Sequence, residues 1–205
     1  MPAERGIPIY GGGSVYIPVS HARNPDEILL SAEYWARQWK SATVLDENEQ
    51  FGNATYAKGT RVGSAFRLDS FDLALAYRAQ DDDGYLRGGA SLLLHATGGK
   101  LKLSRAGTTE QETFGDLLWG GGLFGELRPQ RFFLIGLSVK GYTNFGQDPG
   151  TGMADLRAFA GVDWKFLRFE GGLRYMPYAE AGTTDKKMSF DLYGPYVSLS
   201  LVWRF

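Results

Sequence analysis

Residues 196–205, YVSLSLVWRF, show the clearest alternation in this 205-residue chain. Side chains of a β-strand alternate between two faces, so this order places five apolar side chains on one face. The opposite face is more polar and ends with Arg204. The segment therefore predicts a strand with one apolar face, formed by Val197, Leu199, Leu201, Trp203 and Phe205.

The same two-residue period recurs upstream, whereas a helical period of 3.6 residues is not prominent in any window. The 28 glycines and the 13 Phe, 5 Trp and 11 Tyr residues also favour β structure. The chain is therefore predicted to be all-β. Seven further windows have the strand period: 30–39, 71–78, 85–96, 116–127, 131–142, 157–165 and 168–175.

The connections between these windows alternate in length, which is typical of an up-and-down β-barrel of the outer-membrane type. This arrangement predicts eight antiparallel strands within residues 28–205, with residues 1–27 as an N-terminal extension or an extra strand. Residues 13–20, GSVYIPVS, would make nine strands, and a turn at Asp69–Ser70 would make ten, although a β-bulge there leaves eight. Short connections are predicted at 80–84, 127–131 and 164–167, and long ones at 41–60, 98–114, 143–154 and 177–190.

Charge decides which face of the strands points inward. The polar faces carry both signs in rough balance, so in a narrow lumen they can pair, whereas hydrocarbon excludes them at a cost of about 2–4 kcal/mol for each Lys or Arg at the midplane. We therefore predict a closed antiparallel transmembrane β-barrel, with a soluble ligand-binding barrel as the alternative. The predicted lumen charges are Glu33, Arg37, Asp72, Arg78, Arg87, Asp116, Glu126, Lys140, Arg157, Asp163, Lys165, Arg168, Glu170, Arg174 and Arg204.

Composition excludes several other functions. Lys and Arg number 22 against 23 Asp and Glu, so there is no basic surplus for a nucleic acid. With no cysteine and two histidines, we expect no metal site. No cofactor is expected either, because residues 120–125, GGGLFG, are followed by ELRP, which cannot begin a phosphate-binding helix. The acidic run 81–83 is interpreted as a hydrated turn rather than a calcium loop.

A membrane-spanning helix is not predicted. The longest run without a charged residue is the 17 residues between Arg5 and Arg23, and Pro8 and Pro18 interrupt it. The N-terminus also lacks the basic start and apolar stretch of a signal peptide, so either the protein is not exported or the sequence is that of a mature chain.

The closing strand, with its terminal aromatic residue, resembles that of the small outer-membrane β-barrel superfamily, which includes OmpA-like, OmpW-like and opacity-type proteins. This resemblance implies residence in the outer membrane of Gram-negative bacteria, among phospholipids and lipopolysaccharide. It also implies that the apolar face of residues 197–205 is the signal for the barrel-assembly machinery. The expected function is a membrane-anchored scaffold or binding protein with a charge-filled lumen, with passage of small solutes left open. A protein partner could bind at polar loops such as residues 46–49 and 186–187.

An enzyme that modifies lipid A or phospholipid is the alternative function. It would use His95 with Ser91 on the same strand face, since a histidine can activate a hydroxyl nucleophile. Neither His95 nor His21 lies in a deacylase-like or acyltransferase-like motif. Alternation also directs His95 into the lumen, where a hydrogen-bonded structural histidine is the simpler interpretation.

Overall fold

The structure is a computed structural model that describes residues 9–19, 26–51, 54–105, 108–144, 151–179 and 189–204. Secondary structure in these ranges consists of strands and turns, and they contain no helix long and apolar enough to cross a membrane. The strands are β1 (Ile9–Pro18), β2 (Glu27–Val44), β3 (Glu49–Phe51), β4 (Ala54–Tyr56), β5 (Arg61–Gln80), β6 (Leu86–Arg105), β7 (Thr108–Gln130), β8 (Phe133–Thr143), β9 (Gly152–Trp164), β10 (Leu167–Ala179) and β11 (Ser189–Arg204).

Nine of the described strands close into a barrel in the order β1-β11-β10-β9-β8-β7-β6-β5-β2, and β3 pairs with β4 in a separate hairpin. Strand β1 is antiparallel to β2 but parallel to β11, with Gly11 opposite Tyr34 on one side and Leu199 on the other. The predicted all-β closed barrel is confirmed. The predictions of eight or ten strands in a wholly antiparallel meander are wrong.

The parallel closure follows from the odd strand number. When successive barrel strands run in opposite directions, the first and ninth run in the same direction, and their pairing is therefore parallel. Strand β1 lies in the segment that the sequence assigns to an extension or an extra strand. Gly11, Gly12 and Gly13 interrupt its alternation, which explains its weak sequence signal, yet Tyr10 and Tyr16 are both buried.

Strand β5 is continuous across Asp69–Ser70, so the turn required for ten strands is absent from this described segment. Leu68, Ser70 and Asp72 are all buried. Because these residues are two positions apart along the strand, they lie on the same face, and this face stays inward. Phe71 is exposed on the other face. The apolar side chains therefore change face at this point, whereas the backbone continues without a turn.

The predicted long connection at 98–114 is also wrong. Strand β6 extends to Arg105 and β7 begins at Thr108, so only residues 106–107, which lie outside the described ranges, join the two strands. Leu101 and Leu103 alternate with Lys100 and Lys102, but residues 104–113 have Ala106 as their one apolar side chain, so the strand signal is short. Strand β2 likewise extends to Val44, whereas the short connections at 131–132 and 165–166 are close to their predicted positions.

The chain divides into two compact units, whose described parts lie within residues 36–70 and 97–116 for the first and 7–35, 71–96 and 117–205 for the second. The first unit contains a stack of aromatic rings. Trp39 and Phe66 have ring centroids 5.3 Å apart, and Phe66 and Phe114 are 6.1 Å apart. Arg37 lies 4.9 Å above the Trp39 ring, so this predicted lumen charge joins the aromatic stack.

In the second unit, glycine permits a close approach between β9 and β10. A Cβ atom at Gly172 would lie 2.0 Å from the carbonyl oxygen of Ala158. Small barrels need strongly coiled strands, and glycines allow the coiling. We expect Gly172→Ala to lower the free energy of unfolding by about 1–3 kcal/mol, measured by equilibrium denaturation.

Gly141→Ala is the matched control for this change. Gly141 is exposed in β8, and a Cβ there meets no atom within 4 Å. Its effect should stay below about 0.5 kcal/mol. Equal losses at the two positions would contradict a close approach at Gly172.

Candidate functional site

The second unit places apolar side chains outside and charges inside. Leu199 is 51% exposed and Trp203 is 48% exposed, whereas Arg168 and Arg174 are only 8% and 5% exposed. Leu137 on β8 is 64% exposed. This arrangement agrees with the orientation that the charge pattern predicts and defines the lumen as the candidate site.

One group of lumen charges surrounds Asp155 of β9, which is fully buried. The Asp155 carboxylate accepts hydrogen bonds from Arg174 Nε at 2.7 Å and from Arg174 Nη2 at 2.8 Å. It also accepts hydrogen bonds from Arg157 Nε at 3.0 Å and Arg157 Nη2 at 2.8 Å. Arg157 Nη1 donates to Glu33 Oε2 at 2.8 Å. Asp155, Arg157, Arg174 and Glu33 form the Asp155 cluster, in which strands β2, β9 and β10 meet.

Aromatic rings from the closing strands cover the Asp155 cluster. The Arg174 guanidinium lies 4.6 Å from the Tyr10 ring centroid and 5.3 Å from that of Trp35. The Arg157 guanidinium lies 5.8 Å from the Tyr196 ring. Cation–π contact of this kind strengthens where water is excluded, so the rings both stabilise the guanidinium groups and fill the lumen beside them.

A second group, the Arg168 cluster, comprises Arg168, Glu126, Glu170, Asp163 and Arg128. Arg168 forms hydrogen-bonded ion pairs with Glu126 of β7 and Glu170 of its own strand, β10. Its Nε also lies 3.8 Å from Asp163 Oδ1, and Asp163 in turn pairs with Arg128. The cluster joins three strands through alternating charges and leaves each guanidinium beside a carboxylate.

Arg78 forms a third contact in the lumen. It is buried, pairs with Glu27 of β2, and lies 4.3 Å above the Tyr16 ring of β1. These interactions help to attach the parallel closing strand to the antiparallel part of the barrel.

His95 is fully buried and forms a dyad with Asp72. His95 Nδ1 lies 2.8 Å from Asp72 Oδ1, and the Tyr142 hydroxyl donates to the same oxygen at 2.9 Å. Lys140 Nζ lies 3.9 Å from Asp72 Oδ2. Ser91 is four residues from His95 on the same strand, a spacing of about 13 Å at 3.3 Å per residue. The structure therefore does not bring the two predicted catalytic residues within hydrogen-bond reach.

A cavity of about 160 Å³ lies within the lumen, and charged side chains of the Asp155 and Arg168 clusters contribute to its wall. The remaining lining is rich in hydroxyl groups. A cavity of this size and polarity has room for a few water molecules, which could satisfy these groups. Its serines are Ser14, Ser31, Ser91, Ser138, Ser198 and Ser200.

Three further lumen charges, Asp155, Glu27 and Arg128, lie just outside the predicted strand windows and are buried. Extending the alternation would have found all three, because Asp155 shares its face with Arg157, Glu27 with Glu33, and Arg128 with Glu126. Arg87 and Asp116 are half-buried, and Lys165 is exposed at a turn. The Arg204 side chain, Phe205, His21 and residues 186–187 lie outside the described part of the chain.

The two motifs that could suggest a cofactor or a cation have local structural roles. Residues 120–125 lie inside strand β7 and do not open a helix. The Asp81 carboxylate accepts hydrogen bonds from the amides of Tyr85 at 2.6 Å and Leu86 at 3.0 Å, as in a tight turn. Over the described residues, no group of three or more His, Asp or Glu could hold a metal ion.

Comparisons with family models, with curated proteins and with solved structures find no match.

Proposed function

We propose that the protein is an integral β-barrel of the bacterial outer membrane that acts as a membrane-anchored scaffold or binding protein with a closed, charge-filled lumen. The observation that carries this proposal is the inverted polarity of the second unit. Its charged side chains are buried in ion pairs, and large apolar side chains cover its outside. A soluble barrel has the reverse arrangement, since its apolar side chains form the core.

The apolar exterior is too extensive for a surface in water. Exposed large apolar residues occur on every strand of the barrel, and soluble monomers rarely have contiguous apolar patches above a few hundred Å². An open depression of about 990 Å³ has some of these exposed apolar residues in its lining. Acyl chains are a suitable covering for this surface. Its exposed members include Leu30, Leu73, Leu75, Leu92 and Trp119.

The lumen favours an anchor or binding protein over an open pore. The Asp155 cluster, its aromatic neighbours and the Arg168 cluster occupy the interior with hydrogen-bonded side chains. Solute passage would require some of these ion pairs to separate, and an uncompensated buried charge costs several kcal/mol. Binding by exposed segments, such as residues 46–49, is more consistent with this interior.

The alternative functions find less support. A lipid-modifying enzyme needs a nucleophile near His95, but the contacts described for this buried histidine are with Asp72 and Tyr142. A soluble barrel that binds an apolar ligand needs an apolar interior, whereas the described residues of this lumen include seven ion-paired carboxylates: Glu27, Glu33, Asp72, Glu126, Asp155, Asp163 and Glu170.

Assembly is proposed to depend on the closing strand. Leu199, Leu201 and Trp203 point outward, so the apolar face remains available to the barrel-assembly machinery before the strand enters lipid. Outer-membrane phospholipid and lipopolysaccharide would then cover the same face in the finished barrel.

Refolding from urea into liposomes tests the proposal. We expect the folded chain to float with the lipid and to migrate differently on a gel before and after boiling, because a barrel with paired strands resists detergent unfolding. An OmpA-like barrel and a soluble lipocalin-type barrel serve as the two reference proteins. A chain that folds and stays in solution without lipid or detergent would overturn the proposal.

A further inference from the structure

A second cleft lies where the short turns of the barrel meet, at residues 81–85, 131–132 and 165–166. It has a volume of about 780 Å³. Backbone hydrogen bonds hold its walls together: the Arg128 amide donates to the Tyr85 carbonyl at 2.7 Å, and the Asp163 amide donates to the Phe132 carbonyl at 2.8 Å. The walls of the cleft are therefore formed by hydrogen-bonded backbone. The cleft shares no lining residue with the lumen cavity and is distinct from it.

Its lining is positively charged overall. Four cationic side chains face two carboxylates, those of Asp83 and Asp163, and Asp163 already pairs with Arg128. The nearby Asp81 carboxylate accepts two backbone hydrogen bonds of its own turn. The lining residues therefore carry two more positive than negative charges, and the exposed cations Arg131 and Lys165 lie on the two turns other than the acidic turn at 81–83, where they favour an anion. The cationic residues are Arg87, Arg128, Arg131 and Lys165.

Three aromatic side chains line the same cleft as these cations. Tyr85, Phe132 and Trp164 line the cleft and are all more than half exposed. Tyrosine and tryptophan concentrate at the level of lipid headgroups in membrane proteins. The apolar outer face of the barrel begins next to them, at Phe133 on β8 and Val162 on β9. The cleft thus combines cations with the side chains that mark a membrane interface.

Lys165 gives a further indication that the cleft is used. It has φ = 54°, a left-handed conformation that is unfavourable for a residue with a β-carbon and that glycine or asparagine adopts more easily. Its ammonium group lies 5.8 Å from the Trp164 ring centroid. A lysine in this conformation lowers local stability, and this cost points to a function of its side chain.

We propose that this cleft binds the phosphate of an anionic glycerophospholipid headgroup. Arg131 and Lys165, both exposed, would donate to the phosphate oxygens, and the aromatic side chains would contact the glycerol and the first acyl carbons. The inference rests on the proposed membrane location of the barrel. It adds a specific lipid class and a specific place on the protein to that function.

Calorimetric titration in an uncharged maltoside detergent tests the proposal. The probes are dihexanoyl phosphatidylglycerol, dihexanoyl phosphatidylcholine and inorganic phosphate, with each lipid kept below its own micelle concentration. We expect the phosphatidylglycerol to bind at least tenfold more tightly than either of the others, and its affinity to fall as salt is raised.

The double variant Arg131→Gln with Lys165→Asn should weaken phosphatidylglycerol binding at least tenfold. Its unfolding midpoint should be unchanged or higher, because asparagine accepts the left-handed conformation. The matched control is Lys58→Gln with Lys102→Gln, which removes two exposed charges outside the cleft and should change affinity less than twofold.

Equal affinity for the two lipids, equal affinity for free phosphate, or an unaffected double variant would each overturn the proposed site. Boiling-dependent gel migration of the same samples separates this failure from that of the proposed function. A folded barrel without lipid preference overturns only the headgroup site, whereas a chain that is soluble without detergent overturns the membrane barrel as well.

Discussion

Asp155→Asn is expected to lower the free energy of unfolding by about 3–5 kcal/mol, because it removes one charge from a buried ion-paired group. Asn has nearly the same size as Asp, so the packing around position 155 is preserved. Arg157 and Arg174 would keep their charges, and Glu33 would be the remaining carboxylate of the Asp155 cluster, 2.8 Å from Arg157 and 3.8 Å from Arg174. Urea titration of the protein in liposomes measures the loss.

Asp46→Asn is the matched control, since Asp46 is exposed and undergoes the same chemical change. Its effect should stay within about 0.5 kcal/mol. Combining Asp155→Leu with Arg174→Met should recover part of the loss. Removing both charges of an ion pair leaves neither partner behind, whereas removing one charge leaves the other unpaired in the interior. A loss below about 1 kcal/mol in Asp155→Asn would indicate that water reaches the cluster and replaces the carboxylate.

Local alternation predicted the strands whose two faces differ in polarity. On β8, Ile135, Leu137 and Val139 alternate with Gly136 and Ser138, and the structure exposes the first set. Alternation alone did not fix which face is inward. The orientation was predicted from the charges of all the polar faces together, because both signs can pair in a narrow lumen and an unpaired buried charge is costly.

Two parts of the fold could not be predicted from the same signal. Residues 98–105 and 108–114 belong to paired strands, although the first stretch alternates only over residues 100–104 and the second has no apolar residue before Phe114. Strand β1 is the second case, because its Gly11–Gly13 run has no side chains to alternate. Its place in the barrel depends on pairing with Val197 to Arg204 at the far end of the chain, a long-range contact that no local window reports.

Alternation of side chains along a strand cannot predict which charged residues pair with one another, for a geometric reason. Alternation shows that Arg168 and Glu126 both face the lumen, but it does not show that they lie at the same height along the barrel axis. Arg168 is on β10 and Glu126 is on β7, so their meeting depends on strand tilt and on the stagger of each hydrogen-bonded pair around the barrel. Many of the lumen charges could be predicted from alternation, whereas the pairings within the Asp155 and Arg168 clusters depend on the three-dimensional fold.

Leu137→Arg is expected to lower the stability of the barrel in liposomes by about 2–4 kcal/mol, the cost of a cation near the bilayer midplane. Leu137 suits this test because it is 64% exposed near the middle of β8, where it pairs with Gly125 and Ala158. The new side chain would displace no core packing, so the loss measures the surroundings of the outer face. Denaturant titration read by boiling-dependent gel migration gives the value.

Leu86→Arg applies the same substitution at the first residue of β6, also more than half exposed, and there the cost should fall to about 0–1 kcal/mol. A larger loss in the free energy of unfolding at position 137 than at position 86 would indicate that a membrane surrounds the barrel. In a soluble barrel, arginine at either site changes stability by less than about 0.5 kcal/mol. Equal small effects would therefore contradict a membrane location even if the Asp155 cluster proves essential. The Asp155 cluster reports on the lumen and Leu137 reports on the surroundings of the outer face, so the two tests are independent.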